Sequence, residues 1–110
     1  MKTAFAVARA LAASTLLCTA AGASAQSGME QGKKLFTQNA VPACAVCHTL
    51  ADAGATGEIG PILDELKPDA ARVEKAIRNG IGQMPAYQNL SDAQIKELAR
   101  YVATATGGGK

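Results

Sequence analysis

The stretch Cys44-Ala45-Val46-Cys47-His48 constrains this chain more than any other part of its sequence. Two thiols three positions apart, followed directly by an imidazole, form the attachment pattern for c-type haem. Each cysteine sulfur adds to one vinyl group of the porphyrin, and the histidine is placed to bind the iron. The pattern therefore predicts one covalent haem c, attached through Cys44 and Cys47, with His48 as an axial iron ligand.

Three other chemistries use a Cys-x-x-Cys pair: a disulfide bond, a redox-active dithiol and a metal knuckle. A structural zinc site needs four cysteine or histidine ligands, whereas residues 26–110 hold only Cys44, Cys47 and His48. A thioredoxin-like dithiol needs a βαβ context, and the chain shows no strand pattern. The sequence therefore favours haem attachment over all three.

Residues 1–25 are typical of a secretory signal peptide. A positively charged start precedes an apolar run over residues 11–23, and Ala23-Ser24-Ala25 is a small-residue cleavage site. The apolar run is shorter than the roughly 20 residues of a confident membrane span. Cleavage there would release residues 26–110 into the periplasm without membrane insertion. Lipidation at Cys18 is the alternative.

The charge balance argues against a nucleic-acid partner. The whole chain carries 11 Lys and Arg against 9 Asp and Glu, but Lys2 and Arg9 leave with the signal peptide. The remaining domain is formally neutral, and the two propionates of a haem would make it slightly negative, so no basic patch is implied. The chain also has no Trp and few other aromatic residues. A porphyrin would fill a core that these side chains leave underfilled.

Hydrophobic periodicity predicts an all-α domain, with three main helices and a short helical turn at residues 43–48. The first helix is expected over residues 27–38, after a frayed start. The second runs from Pro68-Asp69, with the proline in its first turn, to the helix stop Asn79-Gly80. Residues 50–60 are rich in glycine and are predicted to form a loop.

The last helix has the clearest signals. Ser91 and Gln94 form a capping box, and apolar residues then repeat at helical spacing from Ile95 to Val102. We expect residues 107–110 to form a flexible, glycine-rich tail.

A glycine inside the first helix indicates a close helix crossing. Gly32 costs that helix roughly 1 kcal/mol relative to alanine. A glycine in such a place is expected where another helix passes closely. We expect Gly32 and Phe36 to cross Leu98 and Tyr101 of the last helix. An ordinary N-cap region is the alternative reading of Gly32.

The second axial ligand follows by elimination. His48 is the only histidine, so two histidines from one chain cannot bind the iron. Met29 lies near the expected frayed start, whereas Met84 lies in a loop that Pro85 stiffens. A neutral thioether ligand favours reduced iron. We therefore predict Met84 as the second ligand; the alternative is that it only fills a gap in a loosely packed loop.

Two further residues have predicted supporting roles. An iron-bound His48 needs an acceptor for its Nδ1–H, and the carbonyl of Pro61, fixed by a rigid turn, is the candidate. A proline in a solvent-facing loop is the alternative. Tyr87 follows the loop of the predicted methionine ligand, and we expect it to contact the haem, either by a hydrogen bond to a propionate or by packing on the porphyrin.

With these residues in hand, the chain resembles the class I monohaem cytochromes c. The resemblance covers nearly all of residues 26–110 and implies the class I fold, histidine–methionine ligation, an exposed haem edge and one-electron transfer without enzymatic activity. Some segments are more narrowly similar to the small cytochromes that partner bacterial sulfite dehydrogenases. These segments are Pro42-Ala43-Cys44-Ala45-Val46-Cys47-His48-Thr49-Leu50, Gly60-Pro61 and Leu63-Asp64-Glu65-Leu66-Lys67-Pro68.

The predicted function is that of a monomeric periplasmic electron carrier. It would accept electrons from a dehydrogenase, with sulfite dehydrogenase as the leading candidate, and pass them to a further cytochrome or a terminal oxidase. Two alternatives remain: a fixed haem subunit of an enzyme complex, and a five-coordinate haem sensor or gas binder from which Met84 is detached. We expect partners to dock on small or uncharged residues at the haem edge: Ala43, Ala45, Val46, Ile81, Gly82 and Gln83.

Overall fold

A computed structural model of the chain describes residues 20–109, with side chains from residue 24 onward. Most of the predicted signal peptide, including Cys18, lies outside the described residues. None of the described helices is both long enough and apolar enough to cross a membrane. The helices are α1 (Ala20–Lys34), α2 (Cys44–Cys47), α3 (Leu63–Leu66), α4 (Ala70–Asn79) and α5 (Asp92–Thr106).

Helix α1 begins earlier than the sequence predicted. It starts at Ala20 rather than near residue 27, so the expected frayed start over residues 26–29 was wrong. Alanine is the strongest helix former, and the stretch Ala20-Ala21-Gly22-Ala23-Ser24-Ala25 is rich in it. Helix α1 passes directly into a π-helical turn, Leu35–Asn39, after which Ala40 donates its N–H to the carbonyl of Leu35.

Residues 50–60 are more ordered than the predicted loop. Two short strands, β1 (Thr49–Leu50) and β2 (Ala55–Thr56), pair in antiparallel fashion around a 3₁₀ turn at Ala51–Ala53. Strands of two residues are too short to show an alternating pattern. Helix α3 was also missed, and its Asp64 accepts the N–H of Ala51 at 2.9 Å. Apart from these strands, the regular secondary structure of the described residues is helical, which confirms the all-α prediction.

Helix α4 begins and ends at the residues that the sequence indicated. Asp69 is the N-cap and accepts the backbone N–H of Arg72 at 2.7 Å. Pro68 therefore precedes the cap rather than lying in the first turn as predicted. Gly80 ends the helix with φ of 69°, a conformation that a residue with a Cβ atom adopts rarely.

Helix α5 confirms the predicted capping box. The Ser91 hydroxyl accepts from the Gln94 backbone at 3.2 Å, and the Gln94 side chain accepts from the Ser91 backbone at 2.9 Å. Gly107 ends the helix in the left-handed conformation. Gly108 then donates its N–H to Ala103 at 2.9 Å. The flexibility expected for residues 107–110 stays a prediction.

The crossing of α1 and α5 is confirmed. A Cβ atom on Gly32 would lie 2.8 Å from Cγ of Tyr101 and 3.3 Å from the Glu97 carbonyl oxygen. Beside this contact the rings of Phe36 and Tyr101 meet edge to face, with centroids 6.2 Å apart. The Tyr101 hydroxyl donates to Asp52 at 2.7 Å, which ties α5 to the turn between the strands. The largest fully buried side chains are Phe36, Leu50, Ile77, Leu98 and Tyr101.

Candidate haem site

A cavity of about 470 Å³ lies between α2, α4, α5 and the loop after α4. Cys44, Cys47, His48 and Met84 all line it. The fold therefore brings the predicted attachment and ligand residues to one place, although Met84 is far from the other three in sequence. The wall is otherwise mostly apolar, and its larger members include Phe36, Leu63, Val73, Ile77, Leu98 and Val102.

Helix α2 is one turn long and presents both thiols to the cavity. Cys44 is buried, Cys47 is half-buried, and they are not joined by a disulfide bond. Burial raises the pKa of the Cys44 thiol to about 11 because the low-polarity wall disfavours a thiolate. The wall is therefore suited to an uncharged sulfur, such as that of a thioether.

His48 follows α2 in an extended conformation and is fixed at both its backbone and its ring. Its N–H donates to the Cys44 carbonyl at 2.9 Å. Its Nδ1 lies 2.8 Å from the carbonyl oxygen of Pro61, so the hydrogen bond predicted for this pair is present. A carbonyl can only accept, so Nδ1 carries the proton of this hydrogen bond and Nε2 is the ring nitrogen left for a metal. His48 is thereby held in the tautomer that binds metal through Nε2.

Met84 is positioned by a tight turn. Ile81 and Met84 exchange two backbone hydrogen bonds, of 3.0 and 2.9 Å, across Gly82-Gln83. The loop begins close to Gly80, where a Cβ atom would lie 2.7 Å from the Met84 carbonyl oxygen. These backbone contacts fix where the half-buried side chain of Met84 enters the cavity.

An ion pair closes the base of the loop that carries Met84. Arg78, near the end of α4, donates to Asp92 at 2.6 Å and to Glu74 at 2.9 Å. The hydrogen bond from Arg78 lowers the pKa of the Asp92 carboxyl. Arg78 and Asp92 are both solvent-exposed, so the contribution of their ion pair to stability is small.

Tyr87 lines the cavity, but its hydroxyl is already engaged. It donates to the carbonyl of Pro42 at 2.6 Å, and burial raises the pKa of the phenol, so the proton stays in place. A phenol has one donor. In this arrangement Tyr87 cannot also donate to a propionate. Of the two predicted contacts, packing against the haem is the one that this arrangement leaves open.

A second, more open depression of about 730 Å³ lies on the outer side of Gly60-Pro61. It is lined by residues such as Glu58, Glu65 and Ile62 and by neither cysteine nor the methionine. Among residues 24–109, no group of three or more His, Cys, Asp or Glu side chains could hold a metal ion. The cavity with the two thiols is therefore the candidate cofactor site.

Comparison with known proteins decides the family. Residues 27–102 match the family model described as cytochrome C oxidase, cbb3-type, subunit III. The chain belongs to the cytochrome c family. The resemblance seen in the sequence is thus confirmed, and haem c is the covalent cofactor that membership implies.

Individual relatives agree with this assignment. The cytochrome is similar to cytochrome c6 of Cyanidium caldarium, with 29% identity over 92 residues that cover 76% of each chain. Cytochrome c6 of Cyanidioschyzon merolae is 33% identical over 82 residues, or 67% of this chain and 71% of that one. The chain is 52% identical in sequence to the c-type cytochrome SorU from Sinorhizobium meliloti, and its structure matches the crystal structure of SorU with a TM-score of 0.72. That match covers 77% of this chain and 98% of SorU.

The cavity of this cytochrome fits haem c in three respects. Its thiols are spaced as the two vinyl groups require, and burial raises the pKa of the Cys44 thiol. His48 is held in a metal-binding tautomer by the Pro61 carbonyl. The remaining wall is apolar, as a site that buries a porphyrin should be.

Gly60 is a site residue that the sequence did not single out. It donates its N–H to the Cys47 carbonyl at 2.7 Å, and its Cα faces the ring of His48. A Cβ atom there would lie 2.5 Å from His48 Cε1 and 2.8 Å from Nδ1. Such a contact is shorter than packed atoms allow. Gly60 and Pro61 thus position His48 in two ways. Gly60 leaves room for the imidazole ring, and the carbonyl of Pro61 accepts its hydrogen bond.

We expect Gly60→Ala to displace the His48 ring and destabilise the holoprotein by about 1–3 kcal/mol, the usual cost of overpacking. Thermal unfolding of the holoprotein measures the loss, and the haem absorption spectrum reports the disturbed ring. Gly109→Ala is the control, because its nearest atom would be 3.6 Å away. Equal stability of the two variants would contradict the proposed role of Gly60.

Proposed function

We propose that His48 and Met84 are the axial iron ligands of a one-electron carrier. The main support is that both side chains line the same cavity. Backbone hydrogen bonds fix the segment that carries each of them. When bound, haem supplies an iron that gains and loses one electron. The chain's own residues hold the cofactor by two sulfur atoms, keep water from it with apolar side chains and leave no ligand position for a substrate.

We place this carrier in the periplasm, as a domain of residues 26–110 after removal of residues 1–25. The support is the charged start, the apolar run and the small-residue cleavage site in the sequence. N-terminal sequencing of the purified protein tests this, and an intact Met1 would contradict it.

We further propose sulfite dehydrogenase as the electron donor, with another cytochrome or a terminal oxidase as acceptor. The segments from Pro42 to Leu50 and from Leu63 to Pro68 carry the resemblance to cytochromes that serve this enzyme class. The 52% identity with the c-type cytochrome SorU, over nearly all of that chain, supports kinship with bacterial c-type cytochromes.

The docking surface that we propose lies where the cavity meets solvent near α2 and the turn before Met84. Val46 is 61% exposed and Ile81 is 68% exposed, values that are high for large apolar side chains. Gln83, two residues after Ile81, is also exposed. Redox encounters are brief and bury little area, which a small uncharged surface suits.

The decisive experiment is reduction of the oxidised holoprotein by sulfite dehydrogenase and sulfite, followed by its absorption spectrum. We expect rapid reduction, and a rate at least about tenfold lower for a Val46→Glu, Gln83→Glu double variant. A buried charge without a partner costs at least the 1.4 kcal/mol that a tenfold change represents. Thr104→Glu, on the exposed face of α5, is the matched control.

The outcomes separate the parts of the proposal. No reduction of the wild type by this donor would reject sulfite dehydrogenase. Reduction that the double variant leaves unchanged would reject the docking surface. Co-purification of cytochrome and enzyme at high salt would identify a fixed subunit rather than a diffusing carrier.

A further inference from the structure

Tyr87 is the residue at which the loop that carries Met84 rejoins the core. From Ile81 to Ala86, the side chain of Met84 is half-buried and all the other residues are exposed. The two hydrogen bonds between Ile81 and Met84 join the loop only to itself. Tyr87, in contrast, is only 8% exposed and packs in the hydrophobic core. The position of the loop therefore depends strongly on what holds Tyr87.

Two hydrogen bonds hold Tyr87, one from its backbone and one from its side chain. Its N–H donates to the carbonyl of Ile77 in α4 at 2.9 Å. Its hydroxyl donates to the carbonyl of Pro42 at 2.6 Å, across 45 positions of sequence. Within residues 24–109, no other hydrogen bond joins residues 80–90 to residues 40–48. The phenol is thus the one polar link between the methionine side and the cysteine side of the cavity in the part of the chain that the structure describes.

This link affects how easily the loop opens. Short segments with few buried contacts open locally at a much lower free energy than the whole domain unfolds. Because the loop ends on Tyr87, its opening would separate the hydroxyl from the carbonyl of Pro42. A hydrogen bond that exists only in the closed state favours that state by about tenfold. Phenylalanine would fill the same space as tyrosine but would leave the carbonyl without this partner.

We propose that the Tyr87 hydroxyl is a positioning group, whose bond to Pro42 keeps Met84 at the iron and limits access of other ligands to that side. The inference rests on the proposed ligation by Met84. A thioether favours reduced iron, so its hold on oxidised iron is the weaker one. The oxidised protein is therefore the state in which loss of the hydroxyl has a visible effect.

The test is titration of the oxidised holoprotein with imidazole at pH 7, followed by loss of the far-red methionine–iron absorption. Apparent affinity scales with the fraction of molecules in the open state. We therefore expect Tyr87→Phe to bind imidazole about tenfold more tightly than the wild type. Tyr101→Phe is the matched control, because it removes the same atom from a phenol that donates to Asp52 at 2.7 Å and does not line the cavity. Its imidazole affinity should equal that of the wild type.

The outcomes distinguish this inference from the ligation on which it rests. A wild-type protein without the far-red band would reject Met84 as the ligand, and the inference with it. A wild-type protein with the band, together with unchanged imidazole affinity in Tyr87→Phe, would overturn the role of Tyr87 alone. An equal gain in affinity in Tyr87→Phe and Tyr101→Phe would also overturn it, because general loss of stability would then explain both.

Should Tyr87→Phe yield no holoprotein, hydrogen exchange of the wild type decides. The amide of Tyr87, which donates to Ile77, should exchange at least about tenfold faster once saturating imidazole has displaced Met84, because the closed loop no longer holds the residue. Unchanged protection of that amide would show that Met84 leaves the iron without releasing Tyr87, and would overturn the proposal.

Discussion

Replacing Met84 with alanine is expected to abolish the far-red methionine–iron charge-transfer absorption of the oxidised cytochrome and to lower its reduction potential. The thioether stabilises the reduced iron, and alanine offers no ligand in its place. Axial ligands set haem potentials over a range of roughly 0.8 V, so we expect a drop on the order of 0.1 V or more. Absorption spectroscopy and potentiometric titration measure the two effects.

Met29→Ala is the matched control for this experiment. Met29 is partly buried against the core in α1 and does not line the cavity. We expect the variant to keep both the far-red band and the potential. A wild-type protein without the band would instead support a five-coordinate sensor or gas binder, and a band that survives in Met84→Ala would reject Met84 as the ligand.

Gly32→Ala should cause a large loss of stability in this domain. The new methyl group would occupy the space of the Tyr101 side chain, and the backbone of Glu97 lies 3.3 Å away on the same side. Helices α1 and α5 must then move apart, which opens the Phe36–Tyr101 contact. We expect a loss of about 3 kcal/mol, or a fall in Tm on the order of 10–20 °C for a domain of this size.

The control for that prediction lies one helical turn earlier. A Cβ atom on Gly28 would have the Glu97 Oε1 atom, 4.0 Å away, as its nearest contact. Gly28→Ala should therefore stabilise the protein by about 0.5–1 kcal/mol, because alanine favours the helix. Thermal unfolding of both holoprotein variants checks the opposite signs. Two variants of equal stability would show that the helices do not approach as closely as the structure describes.

Structural features that depend only on residues close together in the sequence could be predicted. The capping box of Ser91 and Gln94 needs only residues three apart, and the glycine after Asn79 ends its helix because of its own backbone freedom. The haem stretch is equally local, since its two thiols share one helical turn. Met84 was predicted as a ligand by elimination, because the chain offers so few other residues that could bind iron.

Structural features that depend on contacts between distant parts of the chain could not be predicted in this way. Asp64 caps the backbone of Ala51 only because α3 folds beside the strands. Gly60 is needed because the ring of His48 lies against it, and its own sequence context does not indicate this. The early start of α1 was missed because alanine is typical both of cleavage sites and of helices. The alanines near residue 25 were interpreted as a cleavage site.

The hydrogen bond from Tyr87 to Pro42 joins the two halves of the site without involving iron. It connects the segment just after Met84 to Pro42, which lies two residues before Cys44. The separation between the cysteine side and the methionine side is therefore set by the polypeptide. Dipoles that are already fixed need little rearrangement when a charge arrives or leaves. Electron exchange should then have a low reorganisation energy, so that distance and driving force, rather than motion of the protein, determine its rate.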